Sequence, residues 1–284
     1  MAQCNFKEEV MVVQHNLAAM NTNRQLGITT GDLGKSTEKL SSGYKINRGA
    51  DDAAGLAISE KMRSQIRGLN RASANAEDGI ALVQTSEGAL NEVHAMLQRM
   101  NELATQAAND TNTSLDRTAI KNEIDQLASE IDRVRSTTQF NTMNLLDGTF
   151  TGKKLQVGSL EGQSIEISIS DMSASALGLG KAGSALKVSS FDSAGASMTL
   201  IQAAIDKVSA QRAQLGAVQN RLEHTIKNLD TTSENTQAAE SRLRDTDMAE
   251  EMVNYSKNNI LSQAGQSMLA QANTQTQGVL SLLG

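Results

Sequence analysis

Between Ala53 and Ala107 apolar residues recur at Ile58, Met62, Ile66, Leu69, Ala76, Ile80, Val83, Leu90, Val93, Leu97, Met100, Ala104 and Ala107, mostly at steps of three or four. This spacing predicts one helix with a narrow buried seam, and at 1.5 Å per residue such a helix runs about 80 Å. A compact domain of this size does not hold a helix that long, so the pattern predicts a rod. The polar run Asn109–Ser114 then reads as a loop with capping side chains. A second helix follows, and its seam of Ile120, Ile124, Leu127, Ile131 and Val134 keeps the heptad spacing of a coiled-coil partner. It is expected to run antiparallel to the first.

After Phe140 the period changes. Leu155 and Val157, then Ile165, Ile167 and Ile169, alternate with polar residues around the turn-forming run Gly158–Gly162, which predicts a β-hairpin near 155–170. Residues 174–196 are rich in Gly, Ser and Ala and read as an exposed loop region. Helical spacing returns at Ile201, Ile205, Val208, Leu215, Val218, Leu222, Ile226, Leu229 and Leu243, a third long helix. Residues 54–246 are thus expected to form a helical rod carrying the hairpin.

Both ends of the chain carry helical spacing as well. Val13, Leu17, Met20, Leu33, Leu40 and Tyr44 mark an N-terminal helix within 11–53. Gly27, Gly31 and Gly34 each weaken it by about 1 kcal/mol relative to Ala. Met248, Met252, Tyr255, Leu261, Ala264, Met268, Ala272, Val279 and Leu282 mark a C-terminal one within 247–284, with Gly265 as its weak point. Two marginal helices at opposite ends of a chain are placed to pair as a coiled coil, with apolar surface left over for neighbours. The expected fold is therefore mainly α: an elongated antiparallel helical bundle with a small β-hairpin region, plus a terminal-helix coiled coil.

Composition sharpens this picture. The chain has no proline and no tryptophan, and aromatic residues make up 2% of it, so contacts fall to Leu, Ile, Val, Met and Ala and the commonest cause of a helix kink is missing. The net charge of −6, with basic residues spread along the helices, speaks against a nucleic-acid partner. No apolar run approaches the length of a membrane span, and no basic n-region leads into an apolar h-region. Cys4 lies in residues 1–10, whose composition matches nothing after it; the segment reads as a non-native extension or as a functional leader.

Catalytic chemistry is not indicated. His15, His94 and His224 fall on three separate predicted helices without metal-ligand spacing, and no nucleotide-binding loop or nucleophile elbow occurs. Asp51–Asp52 and Glu250–Glu251 read as helix-start charges. Asn109-Asp110-Thr111 and Asn112-Thr113-Ser114 fit the N-glycosylation pattern, which a polar Asn/Thr loop also produces by chance. We therefore expect no catalytic residues, no metal and no cofactor.

The segment at 40–110, opening LSSGYKINRGADDAAGLAIS, the stretch EIDRVRSTTQFNTMNLLDG at 130–148 and the run from 218, opening VQNRLEHTIKNLDTT, closely resemble bacterial flagellin. The resemblance covers nearly everything from Met11 onward and is to a short form, with little or no outer variable domain. It implies a structural, non-enzymatic subunit that polymerises into the flagellar filament for motility, with the paired ends as filament core. The assembly core is expected at Val13, Leu17, Met20, Leu33, Leu40, Met252, Tyr255, Leu261, Met268, Val279 and Leu282. Also implied are an extracellular location on the flagellum, type III export without a cleaved Sec signal, and an export chaperone. Filament cap and hook-junction proteins are further implied partners, as is a Toll-like innate immune receptor of an animal host meeting a surface at Arg99, Leu103 and Glu123. No membrane insertion is implied.

Two other readings remain at this point. A hook-filament junction protein would share the terminal helices but carry a larger, divergent middle. A coiled-coil signalling module would show unbroken heptads turning at a central tip, with membrane spans. An enzyme inserted in the variable region would need a zinc motif that the short interval lacks.

Overall fold

Helix ends in this chain are set by short polar side chains, and the long apolar stripes run between them. The structure, a computed structural model, describes residues 16–283, with side-chain surroundings described as far as 275. Val13, His15 and the 1–10 segment with Cys4 lie outside the described residues, as do the side-chain surroundings of Val279 and Leu282. In order, the elements are α1 (Leu17–Ser42), α2 (Ala53–Ala107), α3 (Ser114–Thr137), β1 (Gln139–Phe140), β2 (Met143–Asn144), β3 (Lys153–Gln156), β4 (Ser164–Ile167), α4 (Ala174–Leu177), a 3-10 turn (Lys181–Gly183), α5 (Phe191–Arg244) and α6 (Met248–Leu283). The fold is mainly α with two small antiparallel strand pairs. Two compact units divide it, residues 64–236 and residues 1–63 with 237–284, so the division falls inside α2 and α5.

In the central unit the stripes of α2, α3 and α5 meet. Leu90, Val93, Leu97, Met100 and Ala104 of α2, Ile120, Ile124, Ala128 and Ile131 of α3, and Ile201, Ala204 and Val208 of α5 form one continuous core. Burying a side chain such as Leu or Ile in it stabilises by roughly 1.5–3 kcal/mol. The α3 start is fixed by a capping box: Thr113 Oγ1 accepts from the Asp116 amide at 3.3 Å, and the Asp116 carboxylate accepts from the Thr113 amide at 2.9 Å.

The expected hairpin forms as β3–β4, with Leu155 opposite Ile165 and Lys153 opposite Ile167. It lies close on α2 because that helix has glycine beneath it: a Cβ at Gly68 would stand 2.8 Å from the Ser159 Cβ, and one at Gly79 would overlap Leu155. A second, tighter hairpin, β1–β2, has no period-two signal in its two-residue strands. Its turn residues Asn141 and Thr142 both take positive φ, 48° and 64°, as a tight two-residue hairpin turn demands.

Residues 174–196 are not the exposed loop that their composition suggests. They carry α4, the 3-10 turn and the start of α5, and Ala174, Leu177, Leu179, Leu186, Val188 and Ala194 are buried. Small residues there permit tight turns, Gly178 and Gly180 with positive φ, that fold scattered apolar side chains back onto the core. Neither a helical nor a strand period announces a segment built this way.

In the terminal unit, α1 and α6 pack against each other. Their contacts run in opposite directions along the chain: Asn16 Nδ2 donates to Ala272 O at 2.9 Å, Gly265 faces Leu26, Lys39 Nζ lies 3.8 Å from a Glu251 carboxylate oxygen, and Tyr44 pairs with Asp245. The pair is therefore antiparallel. Asp52 starts α2 by accepting from the Gly55 amide at 2.9 Å, while Asp51 accepts from the Asn47 and Arg48 amides and its carboxyl is held below the usual range by those bonds. At α6 the capping carboxylate is Asp247, which accepts from the Ala249 amide at 2.9 Å; Glu251 instead turns inward toward Lys39.

Candidate assembly surface

The seam between α1 and α6 obeys heptad spacing with unusual chemistry. On α1 the more buried positions are Ala19, Thr22, Leu26, Thr29, Leu33, Ser36 and Leu40, at alternating steps of three and four. On α6 they are Glu251, Tyr255, Asn258, Ser262, Gly265, Leu269 and Ala272, at alternating steps of four and three. A coiled coil that is stable alone fills such positions with Leu, Ile and Val. Here about half of them are hydroxyl, amide, carboxylate or glycine.

Most of the large apolar residues lie outside the seam, with Leu261 and Met268 along the groove beside it. Leu17, Met20 and Ile28 on α1 and Met248, Met252, Val253, Ile260, Leu261 and Met268 on α6 are exposed, Val253 at 68% and Ile260 at 67%. Ile46, in the connector after α1, is the single buried hydrophobic residue among the described residues of this unit. An apolar surface of this extent, set on a pair with a polar seam, is the signature of an interaction face.

The expected assembly residues divide between the two sides. Leu33, Leu40 and Tyr255 lie in the seam, Leu17, Met20 and Met252 are exposed, and Leu261 and Met268 are exposed along the groove beside the seam. The residues that a search for apolar periodicity misses are the seam's polar and small members, Ser36, Glu251, Asn258 and Ser262 among them. Their strict alternation of three and four was legible, but only to a search that ignores polarity.

On the central unit, Arg99 and Glu123 come together across α2 and α3. Arg99 donates to Glu123 Oε1 through Nε at 3.1 Å and Nη2 at 3.0 Å, and through Nη1 to Glu102 at 3.2 Å. The hydrogen bonds it donates to Glu123, then to Glu102, raise the guanidinium pKa further above its already high value. Leu103 does not share that surface. It is 2% exposed and belongs to the core with Met100 and Ala104, because one helical turn from Arg99 its side chain falls on the α2 seam. Its burial leaves Leu103 no exposed face, unlike Arg99 and Glu123.

Among the described residues no group of His, Cys, Asp or Glu is arranged to hold a metal ion, and no helix is long and apolar enough to cross a membrane. What the geometry offers is surface.

Comparison with known proteins gives that surface a setting. The family model "Bacterial flagellin N-terminal helical region" matches residues 13–151, and "Bacterial flagellin C-terminal helical region" matches residues 198–283. A flagellin of Halalkalibacterium halodurans is 54% identical over 273 residues, covering 96% of this chain and 100% of that protein. A flagellin of Bacillus subtilis is 50% identical over 303 residues, covering 96% of this chain and 100% of that protein. The crystal structure of Bacillus cereus flagellin aligns with 31% identity and a TM-score of 0.49, covering 59% of this chain and 94% of that one. The chain belongs to the bacterial flagellin family, structural rather than enzymatic proteins whose homopolymer is the extracellular filament of the bacterial flagellum.

Proposed function

We propose that the outward apolar stripe of the α1–α6 pair is the surface by which copies of this chain pack together in the inner part of the filament, and that the pair orders fully only there. The observation that carries this reading is the inversion of the terminal unit, with Ser36, Glu251 and Ser262 buried while Leu17, Met252, Val253, Ile260 and Met268 are exposed. A seam rich in Thr, Ser and Asn contributes little burial, and Gly27, Gly31 and Gly34 subtract about 1 kcal/mol each relative to Ala. Neighbouring copies supply the missing burial, so ordering and assembly are linked.

A pair that is marginal alone suits passage through the type III export apparatus as an unfolded chain, with an export chaperone holding the C-terminal segment and cap and hook-junction proteins meeting it at the filament ends. The Arg99–Glu123 pair is the accessible part of the surface offered to a Toll-like receptor, and Leu103 acts on it from beneath by holding α2 against α3.

Removal of the residues after Asp247 tests the reading. The truncated chain is expected to lose seeded polymerisation in electron microscopy while keeping most of the central helicity in circular dichroism. Normal filaments from the truncated chain would contradict it.

A further inference from the structure

A cleft opens in the central unit between the first two turns of α3 and the chain that leads into α5. Ser114, Arg117, Thr118 and Lys121 line it from α3, and Lys187, Val188 and Ser189 from the segment before α5. Its volume is about 310 Å³, and its lining holds three cationic side chains, three hydroxyls and no carboxylate. A cleft of that size and polarity takes a sugar-sized molecule rather than a bare ion.

Both sides are held in place by the fold. The Arg117 guanidinium donates through Nη1 to Ser189 O at 3.0 Å, which ties α3 to the segment before α5. On that segment the Lys187 amide donates to Ser197 Oγ at 2.8 Å, and the same hydroxyl donates to Lys187 O at 2.7 Å. Ser197 is buried, and Val188 is anchored in the core. The backbone that presents Lys187 is therefore organised before any ligand arrives, which lowers the cost of binding one.

The positive charge of the cleft is not fully met within the chain. Arg117 Nη2 pairs with Asp110 at 3.0 Å and Lys121 Nζ with Asp125, so these two cations have carboxylate partners. Lys187 is exposed, and its ammonium has no partner among the described residues. Arg117 Nε is a buried donor without an acceptor. The start of α3 adds to the field. Ser114 and Leu115 are its first two residues, whose amides have no intrahelical acceptor, while the Thr113 hydroxyl already serves the Asp116 amide.

We propose that this cleft binds a phosphate or sulfate ester of a sugar. Lys187 and the first amides of α3 meet the oxyanion, and the Ser114, Thr118 and Ser189 hydroxyls meet the sugar. A carboxylate offers two oxygens in one plane, whereas a phosphate or sulfate ester offers three that can reach donors on both sides of the cleft. Charge-assisted bonds of this kind are about twice as strong as neutral ones.

Amide chemical shifts of the full-length subunit, followed by NMR at constant ionic strength, test this with four probes: glucose 6-phosphate, glucose 6-sulfate, inorganic phosphate and glucose. At least one ester is expected to shift the amides at 114–118 and 187–189 saturably, and the tighter of the two names the oxyanion. Inorganic phosphate should shift the same amides with about tenfold weaker binding, and glucose should shift none. Lys187→Gln should weaken ester binding about tenfold with the melting of residues 64–236 unchanged, and Lys187→Arg should stay within about threefold of the parent. Lys227→Gln, which removes an exposed charge of α5 outside the cleft, should bind as the parent does. Shifts that scatter along the chain without saturating, glucose binding as tightly as the esters, or an equal loss in Lys227→Gln would overturn the site. Inorganic phosphate binding as tightly as the esters would overturn the place given to the sugar.

Discussion

The central and terminal units use the same helical spacing with opposite polarity. In the central unit Leu97, Ile124, Ile131 and Val208 point inward and the charged Arg99 and Glu123 point out. In the terminal unit Ser36, Glu251 and Ser262 point inward while Val253, Ile260 and Met268 point out. The first arrangement completes a core within one chain. The second leaves its burial unfinished; under the proposed reading neighbours complete it, and the subunit is marginal alone and firm in the polymer.

The comparison breaks most visibly if a charge is placed on the outward stripe. Ile260→Lys is expected to raise the concentration needed for seeded polymerisation by about 100-fold or more, because a charge buried between copies lacks a partner, with the melting of the central unit unchanged. Pelleting of seeded reactions measures this; unaltered assembly would show that the stripe faces solvent in the filament. Next in size, Leu97→Ala should destabilise the central unit by about 3 kcal/mol in denaturant titration, since Leu97 is fully buried in a close-packed core.

A substitution that erases the difference between units is equally informative. Asn258→Leu with Ser262→Leu gives the terminal seam the chemistry of the central one and should strengthen pairing in the free subunit by about 1–2 kcal/mol, seen as added helicity by circular dichroism. No gain would mean that the seam is not where burial is missing.

The smallest effect concerns a cap that is ordinary in chemistry and confined to the central unit. Thr113→Ala should cost about 1 kcal/mol. The Asp116 carboxyl is held below its usual 3.8 by the Thr113 hydroxyl and then by the Thr113 amide. Its folded pKa is therefore lower than its unfolded one, so this stabilisation is present above about pH 4 and is lost as pH falls through the lower folded value. Denaturation of parent and variant should differ most at pH 7, the difference narrowing in acid to the part carried by the bond from the Asp116 amide to the Thr113 hydroxyl, which does not titrate.

How much of this was legible in the sequence differs between the units for a physical reason. Where a stripe is buried within one chain, as from Leu90 to Ala107, its apolar period marks the helix and its inward face together. Where the stripe is left exposed, as at Met252, Leu261 and Met268, the period marks the helix but misassigns the inward face, which Asn258, Ser262 and Gly265 occupy. Local turn chemistry was readable at Thr113 but not at Asn141–Thr142, whose two positive φ angles break the preference for glycine. The buried segment 174–190 escaped because its apolar residues follow irregular turns rather than a period. Leu103 stands for a different gap: its neighbour Arg99 is exposed, and only packing against α3 and α5 decides that the next turn is core.

The central claim is that the apolar face of the α1–α6 pair is covered by other copies of this chain. A cryo-EM map of the assembled filament tests it most directly. The account predicts Leu17, Met20, Met252, Val253, Ile260 and Met268 buried between subunits, with the seam from Ser36 to Ser262 still facing inward within each one. A map in which those residues face solvent or the lumen, with subunits joined through other surfaces, would contradict it.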